Sequence, residues 1–156
     1  GEDAVQISHQ KRRLMVVIVG ETLRSDHFGL NGYERQTTPL LAARDDIYSF
    51  KDVWACGTST AFAVPCMFAV EGMENYDRDE ARYIENVLDI AHRAGVKVVW
   101  IDNNSDSKGV ADRVDFIDYK NPSNNPLCDD ECRDEGMWQG LRDVVDQSES
   151  GDVLVV

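Results

Sequence analysis

Apolar residues fall along this chain in two alternating patterns. Leu14-Met15-Val16-Val17-Ile18-Val19 is an unbroken apolar run ending at Gly20. Runs of that kind mark strands buried on both faces, as in a parallel sheet. Val96 to Ile101 and Asp152 to Val156 read as further buried strands, and Asp115 to Tyr119 as a short edge strand. A strand is also expected around Tyr48 to Trp54. Helical spacing appears at Ile84, Val87, Leu88 and Ala91, with Gly95 where a C-terminal cap belongs. Met137, Leu141, Val144 and Val145 repeat at the same spacing, predicting a helix over about Arg133 to Gln147. Thr38 and Pro39 read as N-cap and first residue of a short helix through Leu40, Leu41 and Ala43. Helices alternating with strands predict an α/β fold with a mainly parallel sheet.

Between the Tyr48 to Trp54 strand and an apolar segment lies Cys56-Gly57-Thr58-Ser59-Thr60, three hydroxyls beside a cysteine. Ser59 or Thr60 falls near the start of a helix, where backbone N–H groups and the dipole favour an anion. One reading makes a hydroxyl here the nucleophile of a phosphoryl-transfer enzyme. The other makes the hydroxyls helix caps and the cysteines a surface staple. Pro65 fits the first turn of a helix but not later turns, so the helix is expected to begin after Thr60 or to start irregularly.

Ligands of open α/β sheets gather beyond the carboxyl ends of the strands. Glu21 follows the first strand, and Asp102-Asn103-Asn104-Ser105-Asp106-Ser107-Lys108-Gly109 follows the Val96 to Ile101 strand. Glu21 is either a metal or ligand contact or an acidic residue opening a solvated segment. Asn104 and Lys108 are either a phosphate-binding pair or ordinary turn residues. His27 is read as a local hydrogen-bonding residue and His92 as a helix C-terminal residue suited to the dipole.

Charge narrows the partners. The 156 residues carry a formal net charge of −13, which leaves no nucleic-acid partner and no broad docking on anionic lipid. An anionic phosphorylated substrate then calls for a bound cation to reverse the local sign. No signal peptide and no apolar run of membrane-spanning length is visible. Cys56 with Cys66 and Cys128 with Cys132 are close in sequence and suggest disulfides in an oxidising compartment. A four-cysteine zinc site is the alternative, with spacings unlike a zinc ribbon. Disulfides call for an export signal or anchor upstream. Residues 1–12 read as a polar lead-in, and 13–156 as the start of a domain whose last strand calls for further residues at the same edge.

Several motifs together carry a resemblance: Val19-Gly20-Glu21-Thr22-Leu23-Arg24-Ser25-Asp26-His27, Asn31-Gly32-Tyr33-Glu34-Arg35, Cys56-Gly57-Thr58-Ser59-Thr60-Ala61, Val64-Pro65-Cys66-Met67 and Asp102 to Gly109. In these the chain resembles the lipid A phosphoethanolamine transferases, which include the mobile colistin-resistance enzymes. The resemblance runs in order from about Leu14 to the end. It implies the N-terminal part of an alkaline-phosphatase/sulfatase-like three-layer α/β/α domain. That domain faces the periplasm and is attached to the inner membrane through an N-terminal transmembrane domain absent here.

The resemblance also implies roles. Thr60 matches the nucleophile, which is also a metal contact, and Glu21 a zinc ligand. Asn104 and Lys108 match the residues lining the phosphoethanolamine pocket, and the disulfides match Cys56 with Cys66 and Cys128 with Cys132. The cofactor implied is Zn2+, the donor phosphatidylethanolamine and the acceptor lipid A. The family's remaining zinc ligands, an aspartate-histidine pair, fall beyond Val156, so this stretch alone is expected to be inactive and to bind zinc weakly. Phe62 stands where some relatives have tyrosine, and the loop between Cys128 and Cys132 is shorter than in some. The alternatives are a related periplasmic phosphoglycerol transferase or phosphatase, and a non-catalytic disulfide-stapled binding module.

Overall fold

A computed structural model describes residues 11–148 and 151–156. In chain order these residues form strands β1 (Leu14–Val16), β2 (Lys97–Asp102), β3 (Asp115–Asp118) and β4 (Val153–Val155). The helices are α1 (Pro39–Ala42), α2 (Thr60–Phe68), α3 (Arg78–Ala81), α4 (Val87–Arg93) and α5 (Met137–Gln147). The chain divides into two compact units, one of the chain up to Ile18 with Cys56–Val156, the other of Val19–Ala55. Residues 1–10 of the expected lead-in lie outside the described residues; Arg12 donates to the Val145 carbonyl at 2.9 Å.

The first unit holds a wholly parallel sheet in the order β1-β4-β2-β3. All four carboxyl ends therefore share one edge. Side chains alternate between the sheet's faces. On one face Val99, Val153 and Val155 pack with Val144 of α5, bordered by Ile101, Ile117 and Leu141. On the other, Trp100 meets Phe68 of α2 edge-on, with ring centroids 5.7 Å apart. Helices thus cover both faces of the parallel sheet that the alternating pattern predicts, which gives the three layers that the resemblance implies.

Helix α4 starts on a capping box. The Asn86 side chain accepts from the Leu88 and Asp89 N–H groups, and the Asp89 carboxylate accepts from the Asn86 N–H. It ends as expected at Gly95, φ +92°, with Val96 N–H bonded to the Ala91 carbonyl and Gly95 N–H to that of His92. The third predicted helix opens as a 3₁₀ turn at Asp134–Gly136 and continues as α5. The Asn121 to Asp130 loop is pinned by Asn125, whose amide donates to the carbonyls of Tyr119 and Arg133.

Three expectations are corrected. The Leu14 to Val19 run forms a strand over only Leu14–Val16, and it lies at the sheet edge with Met15 62% exposed. Val153–Val155 takes the central place instead, because it pairs with β1 on one side and β2 on the other. Tyr48 to Trp54 forms no strand, since no neighbour offers it a hydrogen-bonding ladder; Tyr48 and Trp54 stand exposed. Helix α2 starts at Thr60 itself and keeps Pro65 inside.

In the second unit Thr38 takes the N-cap position of α1 but makes no capping bond. Its Oγ1 accepts from the Leu30 N–H at 3.0 Å instead, while Thr37 Oγ1 donates to the His27 carbonyl and accepts from the Gly29 N–H. The two threonines thereby fix the turn after His27. The His27 ring rests 5.0 Å from that of Tyr33, in keeping with a local structural role.

Candidate active site

Thr60 is the first residue of α2 and is half-buried. Ser59 precedes it with φ −108° and ψ 136°, and its carbonyl accepts from the Phe62 and Ala63 N–H groups at 3.0 and 2.8 Å. The Ser59 side chain makes no capping bond, so the capping reading of the hydroxyl cluster does not hold for that residue. Cys56 and Cys66 form a disulfide with their Cα atoms 6.2 Å apart, tying the segment before Thr60 to the body of its helix. Cys128 and Cys132 form a second, so the four-cysteine zinc alternative falls.

Phe62 packs over Gly57, where an added Cβ would lie 3.0 Å from the Phe62 ring. Its other neighbour is Tyr76, edge-on at 5.1 Å between centroids. Burial pushes the Tyr76 phenol above its ordinary pKa.

The segment after β2 is built on Asp102, which is 6% exposed. Its Oδ2 accepts from the N–H groups of Asn104 (3.0 Å) and Asp106 (3.2 Å) and from Lys120 Nζ (2.9 Å). Burial pushes this carboxyl up, but the Lys120 ammonium and the two N–H groups outweigh it and hold Asp102 below the usual carboxylate range. Asp106 in turn accepts from the Lys108 N–H at 2.6 Å, and Lys108 Nζ donates to the Ser105 carbonyl. Asn104 is exposed above this scaffold; Lys108 is largely covered, its side chain 23% exposed.

Backbone strain concentrates in the loops singled out by sequence. Among the described residues, the non-glycine residues with positive φ are Thr22 (+54°), Asp106 (+76°) and Lys108 (+55°). Each such residue costs on the order of 1–3 kcal/mol, and strain of this kind clusters at functional sites. Thr22 adjoins Glu21, an exposed residue whose Oε1 accepts from Thr22 Oγ1 at 2.8 Å.

Lys108 shares a cleft of about 310 Å³ with Ala61 and Pro65 of α2. The loop and the helix that begins at Thr60 therefore meet in one concavity. Asn104 does not line it. Glu21 belongs to the other unit, and its predicted role rests on its motif. Among the described residues no three His, Cys, Asp or Glu side chains are placed to hold a metal ion. A zinc site takes four ligands, or three with an open position. The donors present do not complete one.

Two supporting residues went unread in the sequence. Asp102 had a signal, an acidic residue closing an apolar strand just before Asn and Ser, the makings of an Asx turn. Lys120 had none, since its role comes from the pairing of β2 with β3.

Residues 13–156 match the Sulfatase family. The chain belongs to that family. It is 50% identical to the phosphatidylethanolamine transferase Mcr-1 of Escherichia coli over 99% of its own length and 30% of that protein's. It is 40% identical to the phosphoethanolamine transferase EptA of Salmonella typhimurium, over all of this chain and 29% of that one. Among solved structures it is similar to the soluble domain of lipooligosaccharide phosphoethanolamine transferase A from Neisseria meningitidis. There the TM-score is 0.87 at 42% identity, with 97% of this chain and 46% of that one covered. The chain spans about 30% of the length of the curated relatives it matches. This sulfatase-family chain has, among its described residues, no helix long and apolar enough to cross a membrane.

Proposed function

We propose that this chain carries the nucleophile and the donor-binding loop of a phosphoethanolamine transferase, with phosphatidylethanolamine as donor and a lipid A phosphate as acceptor. The observation that supports this reading most is the strained, Asp102-anchored loop that brings Lys108 into one cleft with the first turn of the Thr60 helix. Strain retained in a loop that also presents a cation beside a helix N-terminus suits phosphate chemistry better than a plain turn.

In the proposed reaction Thr60 Oγ attacks the donor phosphorus. The P–O bond to the glyceride breaks, and diacylglycerol leaves with the proton that Thr60 gives up. An oxygen of the acceptor phosphate then attacks the phosphoethanolamine ester, and Thr60 departs and recovers a proton. Lys108, and the N–H groups at the start of α2, offset charge on the equatorial oxygens in both steps. Asn104 is proposed to bind the donor head group. Glu21 is proposed as a zinc ligand on the strength of its Gly-Glu-Thr motif. The proposed setting is the periplasmic face of the inner membrane, with polymyxin and colistin resistance as the outcome.

The test uses an enzyme of the relatives' length carrying this sequence. Thr60→Ala should abolish modification of lipid A while leaving the circular dichroism spectrum and melting temperature unchanged. Lipid A still modified by that variant would refute the nucleophile. A phosphoglycerol product, or free phosphate alone, would replace the transferase reading with one of its relatives.

A further inference from the structure

The cleft that Lys108 and Ala61 line lies between α2, α3 and the 108–113 segment, without Thr60 itself in its wall, and its charge runs against that of the molecule. Arg78, Arg82, Lys108 and Arg113 line it in a chain of net charge −13. Three of the nearby charges are spoken for. Glu85 is clasped by Arg93 through two bonds at 3.0 and 2.9 Å. Arg113 is held by the buried Asp89 at 2.7 Å and by the carbonyl of Arg82. Lys108 Nζ is held by the Ser105 carbonyl and lies 3.5 Å from the Asp106 carboxylate, which leaves Arg78 and Arg82 against Glu71 and Asp112.

The arginines among these are weakly engaged. Arg78 makes no hydrogen bond or ion pair among the described residues. Arg82 pairs with Asp79 at 3.1 Å, a partner that is 89% exposed, and its guanidinium lies over the Tyr83 ring, 5.8 Å from the centroid; exposed contacts of this kind contribute about 1 kcal/mol or less each. Tyr76 lines the same cleft, and its buried hydroxyl lacks a hydrogen-bond partner among the described residues. A buried, unsatisfied hydroxyl is uncommon and suits a site that receives a polar ligand. Ala61, Pro65 and Val110 give the cleft apolar wall.

Guanidinium groups at the rim of a partly apolar cleft fit a phosphate carried on a larger body, because Arg pairs with phosphate oxygens in a two-pronged geometry. We propose that this cleft is a second phosphate subsite, in which Arg78 and Arg82 hold a phosphate of the sugar-phosphate acceptor while another part of it approaches Thr60. The subsite rests on the transferase reading only for the identity of its occupant. The anion binding itself does not depend on Thr60 chemistry.

The test is a titration of the 156-residue chain with glucose 1-phosphate, followed through the arginine side-chain N–H signals by NMR, with glucose as the uncharged control. Saturable shifts of Arg78 and Arg82, absent with glucose and weakened by salt, are expected. The double variant Arg78→Gln, Arg82→Gln should lose affinity by about tenfold or more. Thr60→Ala should bind as the wild type does, which separates this claim from the nucleophile assignment. Micelles of phosphatidylethanolamine shifting the same signals in place of the sugar phosphate would assign the subsite to the donor and overturn the acceptor claim. Equal binding by the double variant, or no arginine shift, would overturn the subsite.

Discussion

Asp102 shows what a single buried carboxylate does for a loop. Held below its ordinary pKa by Lys120 and two backbone N–H groups, it contributes stability that is present above the ordinary carboxylate range and is lost as pH falls through the lowered folded-state value. Asp102→Asn should therefore cost about 1–2 kcal/mol at neutral pH, less than a fully buried pair would, since Lys120 is 40% exposed and keeps Asp118 at 3.9 Å. The difference from wild type should shrink below about pH 4, where the unfolded carboxyl is protonated. Urea unfolding of both proteins across pH 2 to 7 checks this, and a pH-independent difference would contradict it. Thr60, Glu21, Asn104 and Lys108 are proposed from motif and position, which are local in sequence. Lys120 could not be, because it reaches Asp102 only through strand pairing.

At the scale of elements, α2 is a helix that carries a proline inside and a disulfide across its start. The chain-entropy relation gives a closure of this size about 2–3 kcal/mol. Replacing both Cys56 and Cys66 with serine should lower unfolding free energy by that amount; an unchanged denaturation midpoint would contradict the stapling role. Helix α5 makes the opposite point about propensity. An alanine at Gly140 would gain roughly 1 kcal/mol of helix propensity in isolation. Yet its Cβ would lie 2.4 Å from the Tyr119 hydroxyl, so Gly140→Ala should destabilise by about 1–3 kcal/mol net. Thermal melting distinguishes the two signs.

Helices α4 and α5 were readable because their apolar spacing is local and Gly95 marks the end of α4; the start of α4 was not, since Asn86 caps the helix after Ile84. Strand order was not. The apolar runs of β1 and β4 look alike in sequence, yet one is a half-exposed edge and the other the buried centre. Tyr48 to Trp54 has strand composition without a partner, and composition carries no information about partners.

Over the whole molecule, the parallel sheet sets the carboxyl ends of its strands along one edge, and chemistry-bearing loops leave from that edge. The Asp102 to Gly109 loop and the helix begun by Thr60 meet in the cleft that Lys108 and Ala61 line. An acidic chain thereby gathers cations in one cleft, the feature on which the proposed phosphate chemistry rests. The most direct measurement is peptide-resolved mass spectrometry of the relatives'-length enzyme after exposure to phosphatidylethanolamine. A phosphoethanolamine adduct on Thr60, lost when lipid A is added, is the result predicted. An adduct on Thr58 or Ser59, or none on any residue during active transfer, would contradict it.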